Sequence, residues 1–96
     1  MARLTVSTGA KRDLSAIFVY IAHDNLAAAR RILSLFYQKF RIIAAQPGIG
    51  RRRDELKAGY QSQAAGNYVI YYRFANGIVR ILRVLHGARD LKKLLP

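Results

Sequence analysis

The sequence predicts an α+β fold: an N-terminal antiparallel helical hairpin packed on a twisted antiparallel sheet of three to four strands, with a short C-terminal helix. Three observations carry this reading. Between residues 11 and 43 apolar side chains recur at i, i+3, i+4 and i+7, the mark of helices with one buried stripe. Beyond residue 59 the period falls to two, the spacing of strands. Between two such strands stands Asn76-Gly77, a dipeptide whose members both tolerate the positive φ of a tight hairpin turn. A chain of 96 residues is read as one domain, 1–96, because so short a chain buries only about 60–65% of its unfolded surface and does not support two cores.

The elements follow in order. Ala2 to Val6 carries β-branched residues in partial alternation and reads as a short strand, able to join the sheet at an edge; Ser7, Thr8 and Gly9 supply a cap and turn. Lys11 to His23 places Leu14, Ile17, Phe18 and Ile21 on one helical stripe. Asp24-Asn25 caps a longer helix bearing Ala29, Ile32, Leu33, Phe36, Phe40 and Ile43, which Pro47-Gly48 ends. So short a break between the helices makes them antiparallel neighbours. Gln46 to Gly59 has no apolar period and reads as a surface connector. Tyr60 to Gln63 is a strand joined through Ala64 to Asn67 to the run Tyr68 to Phe74, which turns at Asn76-Gly77 into Ile78 to Leu85. Asp90 to Leu95 is expected to form the final helix, stopped by Pro96.

A two-residue turn fixes a register. Ala75 is expected opposite Ile78, Phe74 opposite Val79, Arg73 opposite Arg80, Tyr72 opposite Ile81 and Tyr71 opposite Leu82. The helix-covered face then holds Tyr68, Ile70, Tyr72, Phe74, Val79, Ile81 and Leu85, with Arg83 as its one charge; a bulge in the last strand would exchange its faces. The other face sets Arg73 against Arg80, an unfavourable like-charge pair unless an acid answers it or both chains splay into water.

The charge is lopsided: 17 Lys+Arg against 5 Asp+Glu, a formal +12. Such an excess implies an anionic partner, whether nucleic acid, an anionic membrane or an acidic protein. Membrane spanning is not expected, since the longest strongly apolar run, Tyr68 to Tyr72, is far short of the roughly 20 residues a helix needs. The start of the chain has no secretory pattern, and a cytoplasmic location is the expectation. With no cysteine, disulfides, thiolate metal sites and cysteine nucleophiles are excluded. His23, His86 and the scattered carboxylates lack metal-ligand spacing, so no metal, cofactor or catalytic set is assigned. Ser7, Ser15, Ser34 and Ser62 have no nucleophile-elbow pattern, and Gly48-Ile49-Gly50 follows no strand. The one remaining chemistry is metal-free RNA cleavage, with His86 beside Arg73, Arg83 and Arg89; the alternative is a structural His86 at a strand end.

Several pieces together resemble a known family. They are Ala10 with Asp13-Leu14 and Ile17, Tyr20-Ile21-Ala22, Ala29 with Ile32, Pro47-Gly48-Ile49-Gly50-Arg51, Asp54-Glu55-Leu56, Tyr68-Val69-Ile70-Tyr71-Tyr72-Arg73, and Val84-Leu85-His86-Gly87-Ala88-Arg89-Asp90. Over nearly the whole chain they resemble the ParE/RelE superfamily of bacterial type II toxin–antitoxin systems, and within it the ParE branch. The resemblance implies two helices against a twisted antiparallel sheet, in agreement with the elements above. It implies a toxin that blocks DNA gyrase, with no catalysis of its own, held inactive in a hetero-oligomer by an acidic, ParD-like antitoxin. The alternatives within the superfamily are a RelE-type ribosome-dependent mRNA interferase and a degenerate toxin that only binds its antitoxin. Where relatives often read Arg-Ser this chain has Gln61-Ser62, and His86 is followed by Gly87 rather than an aromatic residue; both departures weigh against the nuclease. The positions expected to meet gyrase or its DNA complex are Arg73, Arg83, His86, Arg89 and Asp90. Those expected to meet the antitoxin are Arg30, Arg31, Arg51, Arg52 and Arg80. Arg89 and Asp90 have a structural alternative, mutual pairing that anchors the C-terminus.

Overall fold

The computed structural model describes residues 1–87 and 95. In chain order it builds β1 (Arg3–Val6), α1 (Thr8–Asp24), α2 (Leu26–Ala45), a 3-10 turn (Pro47–Ile49), β2 (Arg51–Arg52), β3 (Tyr60–Ala65), β4 (Tyr68–Ala75) and β5 (Ile78–His86). The expected final helix, along with Arg89 and Asp90, lies outside the described residues, Leu95 excepted.

Both helices start at side-chain caps. Ser7 Oγ accepts from Ala10 N at 3.0 Å, so α1 begins three residues before the expected Lys11. Asn25 ends α1, its N–H donating to Ile21 O, and opens α2, its Oδ1 accepting from Ala28 N at 3.0 Å. One residue thus satisfies orphan backbone groups at two helix ends, which is why the hairpin is tight. The stripe side chains Ala10 and Leu14 of α1, and Ala29, Phe36, Phe40 and Ile43 of α2, are buried.

The sheet has five strands in the order β1-β5-β4-β3-β2. It is mixed, which corrects the expected antiparallel sheet of three to four strands. β1 runs parallel to β5, Arg3 to Val6 opposite Ile78 to Ile81, because the chain leaves the edge through α1 and returns only after the whole sheet is built. The fifth strand comes from the connector, where Arg51 and Arg52 pair antiparallel with Ser62 and Gln61.

That connector is fastened by one tyrosine. Tyr72, fully buried on β4, donates its hydroxyl to Pro47 O at 2.8 Å and accepts from Gly50 N at 2.9 Å. A Cβ on Gly50 would stand 2.4 Å from that hydroxyl, so only glycine lets the backbone approach. Burial pushes the Tyr72 hydroxyl up, with the Gly50 N–H opposing. Replacing Tyr72 by phenylalanine strands two backbone groups and is expected to destabilise by about 1–3 kcal/mol, read as a lower urea midpoint at unchanged slope.

The β4–β5 register holds as expected from Ala75–Ile78 to Tyr72–Ile81, around Asn76 and Gly77 at φ 53° and 75°. It then shifts. Tyr71 faces Arg83, not Leu82, so Leu82 is an extra residue in a bulge and the rest of β5 exchanges faces. Val84, not Leu85, joins Ile70, Tyr72, Val79 and Ile81 in the core beneath the helices. Phe74 belongs to that face in register but stands 43% exposed at the sheet end. Arg83 passes to the opposite face, the one that carries Arg73 and Arg80.

Candidate functional site: a basic cleft on the sheet face away from the helical hairpin

The exchange of faces gathers three arginines. Arg73 on β4 and Arg80 on β5 are direct ladder partners, as expected, and Arg83 lies beyond the bulge on the same side. Together with Lys57 of the connector they line a cavity of about 540 Å³, bounded by Ser7, Thr8 and Gly9 at the start of α1 and by Tyr60, Leu82 and Leu95.

Within this cleft the cations differ. Arg83 is clamped: its Nε donates to Asp13 Oδ2 at 2.7 Å and its Nη2 to Asp13 Oδ1 at 2.9 Å, while Val84 N donates to Oδ2 at 2.9 Å. Ser7 Oγ donates to Leu82 O at 2.7 Å. The first turns of α1 therefore grip the bulge at both its carbonyl and its guanidinium. A Cβ on Gly9 would lie 3.2 Å from Arg83 Cδ, so a small residue there gives the arginine its path. The hydrogen bond to Asp13 raises the Arg83 pKa, opposed by burial, so the guanidinium stays charged. Arg73 and Arg80 are exposed, and no ion pair engages either of them or Lys57 among the described residues.

Two further carboxylates, Asp54 and Glu55, hold the connector. Arg52 meets Asp54 at 2.8 Å, and Asp54 also accepts from Gly59 N at 3.0 Å; that amide, followed by Arg52, holds the Asp54 carboxyl below its ordinary range. Arg53 meets Glu55 at 2.7 Å and lies 5.7 Å from the centre of the Tyr71 ring. The remaining expected positions lie apart. His86 ends β5, edge-on to Tyr68 at 5.5 Å, and lines a separate cavity of about 300 Å³ with Tyr20 and Asp13. It does not share the cleft of Arg73, Arg80 and Arg83. Arg30 and Arg31 border a shallow groove on α2 with Ser34, Leu35 and Gln38, and Arg51 and Arg52 lie on edge strand β2. Gln61 sits in register with Tyr72 on the helix side and donates from Nε2 to Gly50 O at 3.3 Å. No group of three His, Cys, Asp or Glu side chains converges among the described residues.

Sequence reasoning missed Lys57 and the clamp formed by Ser7 and Asp13. Lys57 carries no local signal. The clamp had one: Arg83 as the lone charge on a face expected to be covered marks a strand whose faces must exchange.

The helical hairpin offers a different surface. Leu14, Phe18, Leu33 and Tyr37, with Lys11 and Ser15, line an apolar groove of about 430 Å³ between α1 and α2. Val19, Tyr20 and Leu26 stand exposed at the tip of the hairpin. No helix among the described residues is long and apolar enough to cross a membrane.

Residues 4–91 match the family model described as the ParE toxin of the type II toxin–antitoxin system parDE. The chain belongs to the ParE toxin family. Toxin ParE1 of Caulobacter vibrioides is 35% identical to this ParE-family chain over 89 residues, 91% of each. Toxin ParE1 of Mycobacterium tuberculosis is 40% identical over 53 residues, a match that spans about half the length of either protein, 54% of each. Among solved structures, the chromosomal ParDE system of P. aeruginosa superposes with a TM-score of 0.75 at 18% identity, over 90% of this chain and 96% of that one, a likeness of fold. The RelBE2 toxin–antitoxin complex of Mycobacterium tuberculosis gives a TM-score of 0.66 at 27% identity, over 88% and 96%. The helical hairpin on a sheet expected from the resemblance is thus the fold seen, its sheet having five strands where three to four were expected.

Proposed function

We propose that this ParE-family chain is a toxin that acts by binding DNA gyrase or its DNA complex, without catalysis, and that a cognate acidic antitoxin neutralises it in a hetero-oligomer. The observation that carries the reading is the likeness to a ParE1 toxin over 91% of each chain. The site supports binding over cleavage. Its cations surround a cleft that His86 does not enter, and Arg83, the arginine nearest the bulge, is already occupied by Asp13. A proton-abstracting group beside a stabilising cation is what an RNA-cleaving centre requires.

The antitoxin is proposed to be an acidic, amphipathic segment that folds on binding. Its apolar side chains suit the groove between α1 and α2, where Phe18 and Tyr37 offer anchors, and its carboxylates suit Arg30 and Arg31 on the neighbouring helix face and Arg51 and Arg52 at the β2 edge. Two solved relatives are toxin–antitoxin assemblies, which supports a partner of this kind.

Induced expression without antitoxin tests the target. Loss of plasmid supercoiling and induction of the DNA-damage response, with translation continuing at first, is the expected result. Immediate translation arrest with gyrase activity intact would mean an mRNA interferase, and absence of toxicity would mean a chain that only binds its partner.

A further inference from the structure

We propose that Arg73, Arg80 and Lys57 form a phosphate-binding site that holds the backbone of a single nucleic-acid strand in the cleft on the sheet face away from the helical hairpin. The proposal starts from a cost. Arg73 and Arg80 face each other directly across the β4–β5 ladder, where opposed side chains start about 5 Å apart and like charges repel. The described carboxylates do nothing to relieve this: Asp13 holds Arg83, Asp54 holds Arg52, Glu55 holds Arg53, and Asp24 ends α1. No acid among the described residues answers the pair, and the proposed ligand supplies that charge.

The geometry selects the anion. The cations come from three elements, β4, β5 and the connector, and converge on one cavity of about 540 Å³. A carboxylate presents its two oxygens in one plane, where a single arginine fork can meet both, as Arg83 meets Asp13 beside a third donor from Val84 N. A phosphodiester presents tetrahedrally arranged oxygens and accepts from several directions at once, with the guanidinium forks suited to pairs of them. The cavity is large enough for one or two nucleotides of a single strand and too small for a duplex. Leu82 and Leu95 add an apolar wall suited to a sugar or base face. Arg83 is not part of the grip; its clamp shapes the cleft.

Fluorescence anisotropy with labelled 12-nucleotide oligo-dT and oligo-U, titrated against the full chain at several salt concentrations, tests this. Three double variants are compared: R73Q/R80Q in the cleft, R73K/R80K, which keeps charge but loses the forks, and R30Q/R31Q on α2, which removes the same charge elsewhere. Thermal melts are expected to show all three folded, since all four arginines are exposed. The expected result is that R73Q/R80Q weakens binding at least tenfold and lowers the slope of log affinity against log salt by about 1.4, two phosphate contacts of a single strand. R73K/R80K keeps the slope and loses affinity, while R30Q/R31Q changes affinity less than threefold. Equal losses in the cleft and α2 glutamine variants would overturn the proposal by showing diffuse attraction. So would an oligo-glutamate of equal charge that binds as tightly as the oligonucleotides and depends on the same two arginines, because the cleft would then be a receptor for acidic protein. Gyrase inhibition and antitoxin binding are not read in this assay, so its failure leaves the toxin reading standing, and failure of the toxin reading leaves the cleft.

Discussion

Replacing Asp13 by alanine is expected to lower the unfolding free energy by about 3 kcal/mol, toward the lower end of the range for breaking a buried ion pair. The Asp13 carboxylate receives three donors, two from the Arg83 guanidinium and one from Val84 N, and its side chain is 12% exposed against 23% for Arg83. Truncation takes from the largely buried Arg83 guanidinium its two hydrogen bonds to a carboxylate and orphans an amide at the point where the β5 register shifts. For a domain of this size each kcal/mol moves the melting temperature by roughly 4–8 °C, so a fall of roughly 12–24 °C is expected. Asparagine retains an acceptor for Val84 N but not the charge, and should fall between wild type and alanine. A loss under about 1 kcal/mol for alanine, small enough to be a surface effect, would show that the clamp does not hold the bulge.

The second large effect concerns association. If the +12 charge serves an acidic antitoxin, the rate of association should fall at least tenfold as ionic strength rises from 0.05 to 0.5 M, because steering between exposed charges is screened over about 8 Å at physiological salt and less above it. The dissociation rate should change far less, since it reports apolar anchors in the α1–α2 groove. Stopped-flow mixing of toxin and antitoxin peptide separates the two rates. An association rate independent of salt would show that the excess charge serves another ligand.

What could be read from the sequence, and what could not, follows from the range of the interactions. Asn76-Gly77, the Ser7 and Asn25 caps and the two helical stripes are local signals, and each appears in the structure where expected or within a turn of it. The parallel pairing of β1 with β5 joins residues some 75 apart and leaves no turn signature. β2 is a two-residue strand whose place depends on Tyr72 reaching Pro47 and Gly50, a contact no local pattern announces. The site was legible in part for the same reason. Arg73 against Arg80 followed from turn geometry, whereas Arg83 reached the cleft only because Leu82 bulges, and His86 moved away from the arginines through that same shift. Lys57 came to the cleft through a connector with no period at all.

The central claim, that this is a gyrase-directed toxin restrained by an antitoxin, is tested most directly with purified components. Relaxed plasmid, gyrase and ATP are incubated with the chain, with and without its antitoxin, and a cell-free translation reaction is run in parallel. The account predicts that the chain suppresses supercoiling, that the antitoxin restores it, and that translation proceeds. Unimpaired supercoiling beside arrested translation would contradict it.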